Sequence, residues 1–305
     1  MKISIIGAGN VGSSLAFLLA SRGFADIVLI DVLDNFAKAK ALDIKEAMPI
    51  FGYDLKINGS GSYEGTINSD IIVITAGLPR KPGMKREDLL EANAKILSSV
   101  IENIKKSSPN AILIVVTNPL DAMAHLARKL TGFERGRVIG MAGTLDSSRL
   151  RFFIAEETGA SVNDVEAVVL GSHGNAMVPV ISAAKVKNKL LSSMLNNEKI
   201  SRIVEKTRNA GADIVNLAGT SSYYAPAAAI YELIESIALD KKRTLPCSVY
   251  LEGEYGMKGI FFGVPARLGK GGVEGVIELN LAEEEKKQLA FAGEAMKKLV
   301  SSFGF

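Results

Sequence analysis

The sequence predicts an α/β protein: a doubly wound parallel sheet over residues 1–142, followed by an α+β domain over residues 143–305. Three observations carry this expectation. Apolar runs of strand length alternate with segments of helical period through the first half. Two of these runs, within Asp70–Gly77 and Ala111–Asn118, are continuously apolar, as strands covered on both faces require. The first run ends in Gly7-Ala8-Gly9-Asn10-Val11-Gly12, a glycine-rich turn that opens a helix.

Taken in order, Lys2–Gly7 reads as a buried strand and Asn10–Arg22 as a helix. Asp26–Asp31 and Asn35–Met48 repeat the pair, and a shorter strand, "DLKINGS", follows. The helix across Arg86–Lys106 supplies the crossover between the two continuous apolar runs. The pattern loosens beyond Gly143. There "DVEAVVLG" reads as a strand, Glu198–Leu217 and Tyr223–Ala238 as helices, Pro246–Leu279 as glycine-rich β structure and Ala282–Ser301 as a charged amphipathic helix. No repeat or low-complexity linker separates the halves, which are expected to pack closely.

Composition narrows the class. The chain has 305 residues, 48% of them hydrophobic and 23% charged, enough for a substantial core. A net charge of +3, dispersed without a Lys/Arg block, argues against a nucleic-acid partner, including a basic RNA-binding reading. One cysteine, Cys247, excludes an intrachain disulfide, and two distant histidines offer no metal cluster, so no metal is expected. No apolar run approaches the length of a membrane span, and the N-terminus has no leader-like charged and apolar regions. The expectation is a cytoplasmic protein that does not engage a membrane.

The glycine-rich turn fits G-x-G-x-x-G in its proper context, after a strand and before a helix. Gly7, Gly9 and Gly12 permit a tight turn and close approach to a pyrophosphate, and the helix start at Asn10 and Val11 offers free N–H groups. Asp31 ends the second strand, where a carboxylate can accept from ribose hydroxyls and repel a 2′-phosphate, favouring NAD over NADP. Glycines also build ordinary turns, and an acid at a strand end can cap a helix. Thr75-Ala76-Gly77 and Thr117-Asn118-Pro119 end the fourth and fifth strands and point to the same crevice.

Two further segments carry chemistry. Gly77–Asp88 joins a strand end to a helix and holds Arg80, Lys81, Lys85 and Arg86 among glycines and prolines. It reads either as a solvated loop or as a cover that brings cations to an anionic substrate. In Ala142–Gly159, Asp146 and Arg149 lie three apart on one helical face. They form a local ion pair, or Asp146 orients a histidine while Arg149 holds a carboxylate. The candidate partner is His173, flanked by Gly171 and Gly174; His125, mid-helix, reads as a surface or packing residue.

"GAGNVG", Asp31, "TAGLPRKPGMKREDLLEAN", "VTNPLDAM", "GTLDSSRLR", "GSHGNAMVP" and "YYAPAAAI" occur in an order that resembles the lactate/malate dehydrogenase family, and within it the lactate-dehydrogenase-like malate dehydrogenases. The likeness runs essentially end to end. It implies a Rossmann-type NAD domain followed by a catalytic domain, and a homo-oligomer, dimer or tetramer. By the same resemblance, His173 is the proton-transferring residue, Asp146 its carboxylate partner and Arg149 the grip on the substrate's C1 carboxylate. Arg86 polarises the reacting carbonyl, Arg80 is the specificity position, and Asn93 and Asn118 are the amide-bearing site residues. Ser221 or Ser222, with Ser222 favoured from its distance to "YYAP", lies near the nicotinamide. One departure is Asn175, where the family usually has Asp.

The implied reaction is reversible hydride transfer between L-malate/oxaloacetate and NAD(H). Arg80 can bind the second carboxylate of such a substrate, whereas the methyl group of lactate or pyruvate would leave it unpaired. A lactate or broader 2-hydroxyacid dehydrogenase is the nearest alternative. A non-catalytic NAD-binding regulator is the alternative of another class, and it has no need of His173, Asp146, Arg86 and Arg149 together.

Overall fold

The computed structural model describes residues 1–78, 86–174 and 176–302, apart from the side chains of Arg86, Glu87 and Ser302. The first half alternates as expected: β1 (Lys2–Ile6), α1 (Asn10–Ala20), β2 (Asp26–Ile30), α2 (Asp34–Phe51), β3 (Ile57–Ser60), β4 (Ile71–Ile74), α3 (Arg86–Ser107), β5 (Ile112–Val115), α4 (Leu120–Thr131) and β6 (Val138–Gly140). The second half contains α5 (Gly143–Thr158), β7 (Val165–Glu166), β8 (Val169–Gly171), β9 (Met177–Pro179), β10 (Lys185–Val186), β11 (Lys189–Leu190), α6 (Asn197–Ala218), α7 (Tyr224–Ala238), β12 (Arg243–Glu252), β13 (Lys258–Gly269), β14 (Gly272–Val276) and α8 (Glu283–Ser302).

Strands β3, β2, β1, β4, β5 and β6 pair in that order, all parallel. The order reverses at β1, so crossovers leave on both sides and cover both faces. Alternate residues serve the two layers. Ile3, Ile5, Ile27 and Leu29 meet α1, α2 and α7 in one core, while Ile6, Val28, Ile30, Ile72 and Ile74 meet α3 and α4 in the other. Every residue of β4 and β5 is buried.

The second half departs from its expected form in two ways. "DVEAVVLG" divides into two short strands, β7 and β8, which belong to different small sheets. More consequentially, β12, β13 and β14 extend the parallel sheet into nine strands, in antiparallel sense. The junction is Ser248 opposite Gly140. A Cβ on Gly140 would stand 2.8 Å from that of Ser248 and 2.9 Å from Leu120 Cδ2, so only glycine admits β12 this closely. α8 packs on β13 and α5 on β12, and a third core around Leu150, Ile154, Val169 and Ile203 fills the space beneath α5 and α6.

Among the described residues no helix is long and apolar enough to cross a membrane.

Candidate active site

The dinucleotide cradle is built at the carboxyl ends of β1, β2 and β4. Gly7 follows β1 at φ +105°, a conformation that side chains rarely adopt. A Cβ there would lie 2.6 Å from Thr75 Oγ1 and 2.8 Å from Ala76 N, so the first turn and the β4 turn interlock. Thr75 Oγ1 donates to Gly7 O at 3.0 Å. Gly12, in the first turn of α1, faces the Gly7 carbonyl so closely that a Cβ would collide with it. Gly9 differs: nothing lies within 4 Å of where its Cβ would be, leaving its backbone open to approach. Asn10 is exposed and Val11 half-buried at the start of α1, whose first turn carries no acidic residue to occupy its N–H groups.

Asp31 stands across from this turn. Its Oδ2 accepts from Ala8 N at 2.9 Å and its Oδ1 from Leu33 N at 3.1 Å. A carboxylate oxygen has capacity for more than one donor, so the anchored group can still receive ribose hydroxyls. The cradle therefore fits a dinucleotide: open backbone for phosphate, a free helix start and a fixed carboxylate.

The neighbouring turns are braced from below. Thr117 is buried and donates to Ala76 O at 2.6 Å, and a Cβ on Gly77 would press on Thr117 Cγ2 at 2.6 Å. Asn93, 1% exposed, accepts from Leu78 N at 2.7 Å and donates to Asn118 O at 2.6 Å. Its amide ties the two strand-end turns together from within the fold. Asn118 is exposed at the end of β5 and precedes Pro119 through a cis bond. Ser222 is half-buried and Ser221 exposed just before α7.

The charged cluster lies on α4, α5 and the turn after β8. His173 Nδ1 is 2.8 Å from Asp146 Oδ2, and Arg149 Nη1 is 3.4 Å from Asp146 Oδ1. The spacing read in the sequence thus serves both partners: the ion pair along α5 and the imidazole contact use different oxygens of one buried carboxylate. Because the carboxylate accepts, the imidazole donates from Nδ1 and its Nε2 is left for another group. Burial works against charge on the ring, but the Asp146 carboxylate outweighs it and holds the His173 pKa above the ordinary histidine value. For Arg149 the balance falls the other way: burial lowers its pKa from the usual arginine value, and Asp146 offsets part of that. His173 is placed by backbone freedom, with Gly171 at φ +90° and Gly174 at φ +108°.

Arg80 and Asn175 lie outside the described residues, as does the side chain of Arg86. His125 is half-buried, its ring 6.0 Å from that of Tyr250 and 6.3 Å from that of Phe261, which makes it a packing residue. Burial, then Arg128 and Lys129, lower its pKa. Cys247 is buried, and burial pushes its thiol up to about 12, well away from a reactive thiolate. Among the described residues no group of three or more metal-ligating side chains occurs.

Residues 1–140 match the family model for the lactate/malate dehydrogenase NAD-binding domain, and residues 143–303 match that of the α/β C-terminal domain. The chain belongs to the lactate/malate dehydrogenase family. Its dinucleotide is NAD, and it is an NAD-dependent oxidoreductase. It is 49% identical to a malate dehydrogenase of Thermomicrobium roseum over 301 residues, covering 99% of this chain and 97% of that one. Identity to a malate dehydrogenase of Bacillus subtilis is also 49%, covering 98% and 97%. Among solved structures, a malate dehydrogenase from Salinibacter ruber matches with TM-score 0.95 at 43% identity, covering 100% and 98% of the two chains. A Cryptosporidium parvum lactate dehydrogenase complexed with lactic acid and the cofactor matches with TM-score 0.96 at 40% identity, covering 99% and 97%. The shared backbone therefore does not separate the two substrates.

One buried residue of this family member was not singled out by sequence reasoning for the site. Asp121 lies inside the run "VTNPLDAM", where the sequence assigns it no site role. It is 2% exposed and accepts from Ser172 Oγ at 2.5 Å, Ser248 Oγ at 2.6 Å and His173 N at 3.3 Å. The available signal was an acid in the first turn of a helix that starts at a strand end; its partners come from distant segments.

Proposed function

We propose that this chain interconverts L-malate and oxaloacetate with NAD(H). The observation that carries the proposal is the His173–Asp146–Arg149 cluster, whose Asp146 lies in the first turn of α5, just after β6 of the parallel sheet. Bound NAD supplies the hydride acceptor, and NADH the donor. His173 takes the substrate hydroxyl proton at Nε2 during oxidation and returns it to the carbonyl oxygen during reduction. Asp146 orients the ring and favours its charged form. Arg149 grips the C1 carboxylate and so aligns the reacting carbon. Arg86 stabilises negative charge on the carbonyl oxygen, and Arg80 binds the second carboxylate; both roles come from the family resemblance. Asn118, exposed beside the crevice, orients substrate and cofactor, and Ser222 neighbours the nicotinamide.

The malate reading is favoured over lactate by Arg80 and by the names of the relatives at about half identity. The likeness to the lactate dehydrogenase of C. parvum makes 2-oxo monocarboxylates the second reading. Initial rates with oxaloacetate or pyruvate, each with NADH or NADPH, decide between them. The expected order puts oxaloacetate with NADH first by a wide margin. Equal or better turnover of pyruvate would reassign the substrate, and no turnover with any 2-oxo acid would revive the NAD-binding regulator.

We further propose a division of labour between residues 1–142 and 143–305, supported by where the two family models end and begin. A homo-oligomer, dimer or tetramer, is supported by exposed apolar side chains on two long helices, Ile50 and Phe51 of α2 and Ile214, Val215 and Leu217 of α6. Light scattering on purified protein checks this, and a strictly monomeric mass would refute it. A cytoplasmic location is supported by the lone buried thiol.

A further inference from the structure

A cavity of about 680 Å³ lies at the amino-terminal ends of β4 and β5. The active-site turns leave the opposite ends of these two strands, so the cavity is separate from the crevice. Both halves of the chain line it: the approaches to β4 and β5 on one side, the end of α7 and the β13–β14 turn on the other. Its floor is apolar, with Ile71, Ile112 and Ile237 all buried. Two cations, Arg137 and Lys270, belong to its lining. Arg137 is held in place: Nη1 donates to Pro109 O at 2.8 Å, and the guanidinium lies 4.1 Å from the centre of the Phe133 ring. A guanidinium has five N–H donors, so most of the fork is left for another acceptor. Lys270 is exposed, and its backbone N–H donates to Asp240 Oδ1 at 2.7 Å, an oxygen already paired with Lys242 at 3.2 Å. Among the described residues no carboxylate lies within ion-pair distance of Arg137 or of the Lys270 ammonium. The one acid in the lining, Asp70, has Oδ2 engaged by the backbone N–H of Lys2 at 2.8 Å.

We propose that this cavity binds a small organic anion, a carboxylate or phosphate head on an apolar body, with Arg137 and Lys270 meeting the head and the three isoleucines beneath the body. Its volume is that of a small-molecule site, and such sites favour the junction of two units and combine apolar walls with a few polar groups. Arg137 is fixed before any ligand arrives, so little side-chain freedom is lost on binding, and its planar fork suits a carboxylate or a phosphate. A bare inorganic anion leaves the apolar floor unused, and an uncharged apolar molecule leaves the two cations unused. The occupant touches both halves of the chain, so it stabilises their contact as well as filling the space. The assignment is independent of which 2-oxo acid the crevice turns over.

The test titrates hexanoate and hexyl phosphate into the NADH-saturated enzyme by calorimetry, with hexanol and inorganic phosphate as the body and the head alone. At least one of the two amphipathic anions should bind with a Kd of about 1 mM or tighter, and the tighter of them names the head group. Hexanol and inorganic phosphate should each bind weaker by about tenfold or more. Lys270→Gln alters an exposed turn position, so the fold and the rate of oxaloacetate reduction should stay as in wild type. Its affinity for the better anion should fall by about tenfold, the loss expected for one hydrogen bond between charged groups. Thermal unfolding gives a second reading: the better anion should raise Tm in wild type and raise it less in Lys270→Gln. Failure of both anions to bind overturns the site. Wild-type affinity in Lys270→Gln places the probe elsewhere and does the same. Equal affinity for hexanol or for inorganic phosphate overturns the ligand class.

Discussion

His173 and Arg149 share one carboxylate, that of Asp146, each on a separate oxygen, at 2.8 Å and 3.4 Å. A single buried anion thereby aligns the proton carrier with the guanidinium assigned to the substrate. Asp146→Asn should uncouple the two. Removing the charge lets burial dominate at His173 and lowers its pKa. Reduction needs the protonated ring, so its rate falls as pH rises through that pKa; the profile of the variant should break at lower pH than wild type. We expect kcat for oxaloacetate reduction at neutral pH to drop by about 10²- to 10⁴-fold. A variant with the wild-type profile would remove Asp146 from the mechanism.

The same pair has a consequence for stability. Because the His173 pKa is raised by folding, the pair stabilises fully below the ordinary histidine value of 6.5, and that contribution is lost as pH rises through the folded value. Thermal unfolding of wild type and His173→Gln across this range checks it. The gap between their Tm values should narrow toward alkaline pH, and a gap that widens would contradict the sign.

Arg80→Gln should move preference from oxaloacetate toward pyruvate. An arginine with no carboxylate to meet is costly in a site closed to water, on the order of 4 kcal/mol, so the ratio of kcat/KM values should change by about 10³-fold. If the variant keeps the wild-type ratio, the specificity position lies elsewhere.

Asp31 holds Ala8 N and Leu33 N beside the site assigned to the ribose. Asp31→Ser should raise the NADPH:NADH ratio of kcat/KM by about tenfold, as a carboxylate next to a 2′-phosphate is removed. Both kinetic constants for both cofactors are measurable in one set of assays. No change in the ratio would mean that coenzyme choice is made by other side chains.

Gly12→Ala drives a methyl group against the Gly7 carbonyl and within 3.2 Å of Ile5 Cγ2. Backbone cannot yield as a flexible side chain can, so a loss of about 1–3 kcal/mol is expected. The measurable results are a lower Tm and a higher KM for NADH. Gly9→Ala meets no neighbour within 4 Å and should spare Tm while still raising KM, which separates folding from binding.

The parallel half was legible because most of its strands are short apolar runs, and consecutive strands pair except where the order switches between β3 and β4. The cradle was legible because its glycines, helix start and Asp31 all fall within about 30 residues. The join between β6 and β12 was not, because it depends on Gly140 meeting Ser248, 108 positions away, and neither residue signals a strand by itself. β6, only Val138–Gly140, is too short to show a period. Asp121 was missed for the same reason: Ser172 and Ser248 are 51 and 127 positions from it. His173 could be named as a candidate partner of Asp146 because the chain has only two histidines, but no local pattern links α5 to the turn after β8, and their roles came from the resemblance.

The uninterrupted nine-stranded sheet bears on how such a molecule can be taken apart. A chain cut after Ala142 would strip β6 of its neighbour and leave β12 without its own, giving two raw strand edges instead of two finished modules. Grafting a foreign substrate half onto these first 142 residues would thus demand a donor strand able to nestle against Gly140, a seam that chimaera design would have to match before any side chain in the crevice mattered.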